Sequence, residues 1–192
     1  MPRRDRSFSG ALGCPRTHNG SDQDCRRENR GSITAIGAAL AAEQRGSGLL
    51  NRIQPPGAIA FGIAVIVPDL AIYLQHRVFH AVPLLWRIHQ MHHADLDFDV
   101  TTGLRFHPLE IVIPMFMKNG VVLAIGASAM AVLAFEVSAT SMFNHGDVRM
   151  PEVTDRWLRW ILVTPDVHRV HHSIVRTETN SNFGFNCRGG IA

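Results

Sequence analysis

Imidazole is a nitrogen donor suited to iron, zinc, copper and nickel, and this chain concentrates imidazoles. Of its eleven histidines, only His18 lies within the first fifty residues. The others fall into groups: His76-Arg-Val-Phe-His80, His89-Gln-Met-His92-His93, His107, His145 and His168-Arg-Val-His171-His172. Helical residues three and four apart share a face. His76 therefore projects with His80, His89 with His92 and His93, and His168 with His171 and His172. Each H-x-x-H-H presents two or three imidazoles to one point. One ion takes about four to six ligands, so nine imidazoles exceed one ion and suit two. The count itself argues for a dinuclear centre. His145, between Asn144 and Gly146, is expected to join it. His107, in Arg105-Phe-His-Pro108, suits a structural role as well as ligation.

Helices must bring these groups together. On one straight helix His89 would face away from His80, but Pro83 lies between them and can end or redirect the helix. Thr164-Pro165-Asp166 reads as a helix start, with Thr as N-cap, Pro in the first turn and Asp at the positive end. Two apolar runs flank the histidines. The first, 57–74, holds eighteen residues and would be ~27 Å long as a helix, close to a bilayer core; Pro68 and Asp69 interrupt it. The second, 109–137, suits a tilted span or a helical hairpin with its tip at the Lys118-Asn119-Gly120 break. Asp69, Glu110 and Glu136 sit at the edges of these runs and point toward a polar interior, because charges facing lipid are costly.

Residues 1–48 read as a disordered Arg/Gly/Ser-rich leader. Residues 1–50 hold eight Arg against five acids, which is the whole net charge of +3. From residue 51 onward the charges balance. The basic excess therefore describes the leader and not a nucleic-acid face, and no nucleic-acid partner is expected. Cys14, Cys25 and Cys187 form no Cys-x-x-Cys pair, which argues against a disulfide framework or a thiolate zinc site. No secretory signal pattern opens the chain.

The sequence resembles the fatty acid hydroxylase / sterol desaturase superfamily, most closely its bacterial sterol-desaturase-like members. The resemblance runs from about residue 48 to 186. It is carried by Asp69-Leu-Ala-Ile-Tyr-Leu-Gln-His76, Leu85-Trp-Arg-Ile-His89-Gln-Met-His92-His93, Arg105-Phe-His107-Pro-Leu-Glu110, Met142-Phe-Asn-His145-Gly, Thr164-Pro-Asp-Val-His168-Arg-Val-His171-His172-Ser173 and Asn180-Ser-Asn-Phe-Gly184. It implies an all-α integral-membrane bundle over 49–186, with a histidine-lined di-iron site at the cytoplasmic end. The ligands it implies are His76, His80, His89, His92, His93, His145, His168, His171 and His172. Some members carry a further histidine where this chain has Ser141, a place His107 could take. Members also have apolar spans before the first motif and a longer apolar-aromatic segment after the last. Here the leader and the atypical tail 187–192 stand instead, so both ends are expected to be truncated.

The activity implied is oxidoreductase chemistry: two iron ions, with zinc as a possible substitute, use O2 to hydroxylate or desaturate a lipid-like substrate. Asp69, Glu110, Asn144, Asp166 and Asn182 are the expected hydrogen-bond partners of the imidazole N–H groups, with capping or solvation as the plainer roles. Arg77, Arg87, Arg105 and Arg169 are expected to pair with acids. No dinucleotide, haem or iron–sulfur motif is present, so electrons must come from a separate ferredoxin- or cytochrome-type donor. Two alternatives stay open: an inactive truncated remnant of such an enzyme, and a zinc-dependent membrane hydrolase.

Overall fold

A computed structural model describes residues 34–94, 98–99, 102–138 and 141–186. Among these the chain is all-α, as expected. Helix α1 covers 34–45. It is followed by α2 (Leu49–Ile53), α3 (Gly57–Ala81), α4 (Pro83–His93), α5 (Pro108–Ile125) and α6 (Ala129–Ser138). Four short helices complete the order: α7 (Ser141–Asn144), α8 (Glu152–Leu158), α9 (Pro165–His171) and α10 (Arg176–Thr179). A 3-10 turn at Thr102–Leu104 precedes α5.

Helix α3 is the hub, packing against α4, α5 and α6. It begins after Pro55-Pro56 and ends where Pro83 requires it to. The residue before a proline is pushed out of the helical region, and Val82 is extended (φ −95°, ψ 116°) while Pro83 opens α4 at its first turn. This break turns His89 back toward His76 and His80.

Helices α3 and α5 are long and apolar enough to cross a membrane, with 25 and 18 residues. Only 17% of each apolar window is buried. A core helix of a water-soluble domain would be mostly buried; these turn Ile59, Phe61, Ile66, Leu70, Leu74 and Phe116 outward instead. Pro68 lies inside α3 and is buried beside Asp69.

Two expectations change. The second apolar run does form two helices, but the tip is not at Lys118-Asn119-Gly120, which lies within α5. Lys118 is accommodated by Glu136 of α6, with Nζ to Oε1 at 2.7 Å. The turn comes at Gly126, whose φ of +67° is left-handed and suits glycine. Glu136 thus neutralises a lysine. Residues 34–48, read as part of the leader, are helical or turn. Ala35, Ala39 and Ala42 are fully buried, and Ala35 and Ala39 join the core with Leu50, Ala64, Val122, Ala127 and Val132. Small side chains let α1 pack closely, which a reading by hydrophobicity undervalues. Residues 1–33 and the tail 187–192 lie outside the described residues.

Candidate metal centre

The chain folds so that four elements deliver imidazoles to one place. His76 and His80 lie one turn apart near the end of α3. His89, His92 and His93 occupy the last two turns of α4. His145 follows α7 directly, and α9 carries His168 and His171, with His172 as its C-cap. They form two groups. His76, His80, His89, His93 and His171 make one; His92, His145, His168 and His172 make the other. Within each, the ligand-capable atoms all lie within 4.8 Å of one another.

The two H-x-x-H-H motifs are each divided between the groups. An i,i+4 pair goes to one and the remaining histidine to the other, because adjacent positions on a helix diverge by about 100°. The motifs do so reciprocally: His89 and His93 join the first group and His92 the second, while His168 and His172 join the second and His171 the first. The groups are adjacent, with His93 and His172 stacked at 4.3 Å between centroids and 14° between planes.

Hydrogen bonding fixes which nitrogen carries a lone pair. His76 Nδ1 donates to the Phe183 carbonyl at 3.1 Å, and His171 Nδ1 donates to the Ser181 carbonyl at 2.7 Å. His89 Nδ1 donates to the Glu110 carboxylate, and His80 Nδ1 to Asn180 Oδ1 at 3.3 Å. The Nε2 atoms are then bare lone pairs. Yet His76 Nε2 lies 3.1 Å from His89 Nε2 and 3.0 Å from His171 Nε2, and His93 Nε2 lies 3.1 Å from His89 Nε2. Lone pairs do not bond one another; they converge on a cation. In the second group, His145 Nε2 lies 3.1 Å from His92 Nε2, 3.0 Å from His168 Nε2 and 3.2 Å from His172 Nε2. Two imidazole nitrogens bound at right angles to one ion at about 2.1 Å would stand about 3.0 Å apart. His80 Nε2 is buried without a hydrogen-bond partner, as a ligand atom would be. The donor set therefore fits a pair of metal ions.

Electrostatics agrees. Burial first, and neighbouring imidazoles second, push His92, His93, His168 and His171 well below the ordinary histidine value. His172 is lowered to about 2 by the same causes. Desolvation disfavours the charged form, so these rings stay neutral and keep their lone pairs for metal. Aromatic rings wall the centre. Phe106 stacks on His92 at 4.3 Å, Trp86 faces His80 and His93, Phe183 faces His76, His80 and His171, and Phe98 faces His145 and His172.

Of the five expected partners of imidazole N–H groups, Glu110 is brought onto His89. Asp69 and Asn144 bond to the segment 180–186, whose carbonyls meet His76 and His171. Asp69 Oδ1 accepts from the Asn186 backbone N–H at 3.0 Å, and Asn144 Nδ2 donates to the Phe185 carbonyl at 2.7 Å. Asn182, at φ +53°, bonds Ser181 Oγ, and Asp166 pairs with Arg169 at 2.5 Å. The charge pairing expected for Arg169 is thus present. His107 stands outside both groups. Its Nδ1 accepts from Leu109 N at 3.2 Å and caps α5. The Ser141 side chain lies outside the described residues. Sequence reading missed Asn180 and the carbonyls of Ser181 and Phe183. A carbonyl has no sequence signature; the Asn-Ser-Asn-Phe-Gly stretch was the available signal.

A helical scaffold with two adjacent all-imidazole groups has the donor set of a histidine-lined dinuclear metal site. The family model described as fatty acid hydroxylase matches residues 61–188, and the chain belongs to that family. It is 32% identical over 143 residues to ornithine lipid hydroxylase OlsE of Rhizobium tropici, covering 69% of this chain and 40% of that protein. It is 30% identical over 122 residues to alkylglycerol monooxygenase of Homo sapiens, covering 60% and 25%. The Xenopus tropicalis alkylglycerol monooxygenase is 30% identical over 116 residues, covering 54% and 23%. The aligned region thus spans 40% or less of these relatives' lengths. No solved structure matches the chain.

Proposed function

We propose that this chain is the catalytic part of a membrane-spanning oxidoreductase that uses O2 to hydroxylate or desaturate a lipid-like substrate. One iron ion is held by His76, His80, His89, His93 and His171, and a second by His92, His145, His168 and His172. The observation that carries this is the convergence of nine imidazoles in two adjacent groups, in a member of a family with relatives named for oxidising lipids. Iron held by imidazoles supplies the capacity to activate O2 and oxidise an unactivated C–H bond.

The chain's own residues do the rest. Glu110 and the carbonyls of Ser181 and Phe183 hold three rings in the tautomer that leaves Nε2 free, as outer partners of metal-bound histidines do. Phe98, Phe106, Phe183 and Trp86 exclude water. Helices α3 and α5 cross the bilayer and bring the centre to lipid, with the metal end facing the cytoplasm. Electrons arrive from a separate ferredoxin- or cytochrome-type donor.

The test is reconstitution of the full chain in lipid vesicles with iron, followed by metal analysis and oxygen uptake. Two irons per chain, and oxygen consumption that needs lipid substrate and donor, are expected. Zinc alone with oxygen-independent hydrolysis would overturn the reading, as would iron well below two per chain after reconstitution.

A further inference from the structure

Helix α8 and the turn that follows it are built inside out. Val153 and Trp157 lie one turn apart on α8, and Trp160 and Ile161 follow in the turn after it. All four point outward, with exposures of 71, 72, 76 and 68%. Asp155 points inward, 2% exposed and paired with Arg159. A surface helix in water turns its apolar stripe to the core and its charges out. A contiguous outward apolar stripe marks a contact surface.

What covers the stripe follows from where it is tied. Immediately after Ile161 and Leu162, Val163 N donates to the Asn186 carbonyl at 2.8 Å. Asn186 N in turn donates to Asp69 Oδ1 at 3.0 Å. Asp69 lies midway along α3. Two hydrogen bonds therefore tie the end of the stripe to the flank of a membrane-capable helix. Around Asp69, α3 turns Ile66, Leu70 and Leu74 outward, each at least half exposed. The composition fits a lipid boundary, because tryptophan is favoured where acyl chains meet head groups. Arg156, also exposed, can lie along the apolar surface with its charge in the head groups.

We propose that α8 is a third membrane contact, lying in the bilayer boundary with Val153, Trp157, Trp160 and Ile161 among the lipid chains. It leads through Thr164 directly into α9, so this contact sets the depth of His168, His171 and His172 relative to the lipid. The inference rests on the spanning reading above and extends it to a segment too short to span.

The chain has three tryptophans, and Trp86→Phe leaves Trp157 and Trp160 as the emitters. The full chain in vesicles containing brominated phospholipid should lose most of that emission, and aqueous acrylamide should have little effect. The Trp157→Phe/Trp160→Phe variant supplies the complementary measurement, by difference from wild type, should Trp86→Phe fail to fold. Quenching by acrylamide without quenching by lipid would overturn the proposal. So would protection from both quenchers, which would mean that protein covers the stripe. Alkaline carbonate extraction separates the two readings. A chain that stays in the pellet without lipid quenching spans the membrane but lacks this contact. A chain that is quenched by lipid yet extracted keeps the contact and loses the spanning reading.

Discussion

Replacing Glu110 with glutamine removes a charge that one imidazole depends on. Glu110 sits in the first turn of α5, 5% exposed, with Oε1 on His89 Nδ1. A hydrogen bond to a charged group contributes about 1.5–3 kcal/mol. At about 1.4 kcal/mol per decade that is roughly 10- to 150-fold in an equilibrium constant. The usual effect of losing an outer partner of a metal-bound histidine is about 10–100-fold in affinity, in agreement. The variant should therefore bind the ion of the five-histidine group about 10- to 100-fold more weakly. The ion of the four-histidine group should be little affected. Chelator competition on the metal-loaded protein, with metal counted per chain, reads both. A small stability loss, about 0.3–1 kcal/mol, also follows from removing an acid at a helix N-terminus. His107→Ala is the control: loss of that cap costs about 0.5–2 kcal/mol of stability with metal affinity unchanged. Wild-type affinity in Glu110→Gln would refute the reasoning. An equal fall at both groups would show that the bond holds the fold and not one ring.

Two further outcomes follow. The metal-free protein should lose stability as pH falls. Folding holds His92, His93, His168, His171 and His172 neutral with lowered pKa values, whereas the unfolded chain takes up protons below about 6.5. Stability is thus fully present above about pH 6.5 and declines below it, toward about pH 2 for His172, by up to about 1.4 kcal/mol per group per pH unit. Unfolding midpoints in detergent at about pH 8 and about pH 5.5 check this; equal midpoints would refute it. Gly48→Ala should destabilise by about 1–3 kcal/mol or more, since Gly48 has φ +95° and a Cβ there would lie 2.4 Å from Gly126 Cα. Thermal unfolding reads the loss, and a neutral result would remove the close approach of these two glycines from the account of how α2 meets the end of α5.

Much of this was legible in the residues because it depends on local periodicity. Imidazole spacing of three and four, the helix-ending Pro83 and the two apolar runs each need one element to be read. Thr164-Pro165-Asp166 begins α9 as expected, though the Thr164 hydroxyl makes no capping bond. What escaped depended on distant partners. Lys118 looks like a break until Glu136 is placed beside it, and α1 looks like a leader until its alanines meet the core. His107 resembles a ligand in a list of histidines, but its position makes it a cap.

For the site, the sequence by itself determined which donors are available, their nitrogen chemistry and their number, hence the suitability for two ions. Tertiary structure alone decided how they divide. Periodicity places a histidine on a face of its own helix but does not say which ring on another helix it will meet. The reciprocal sharing of His92 and His171 between the groups, and the 180–186 segment whose carbonyls orient His76 and His171, arise from contacts spanning up to 107 residues. No local pattern encodes such contacts.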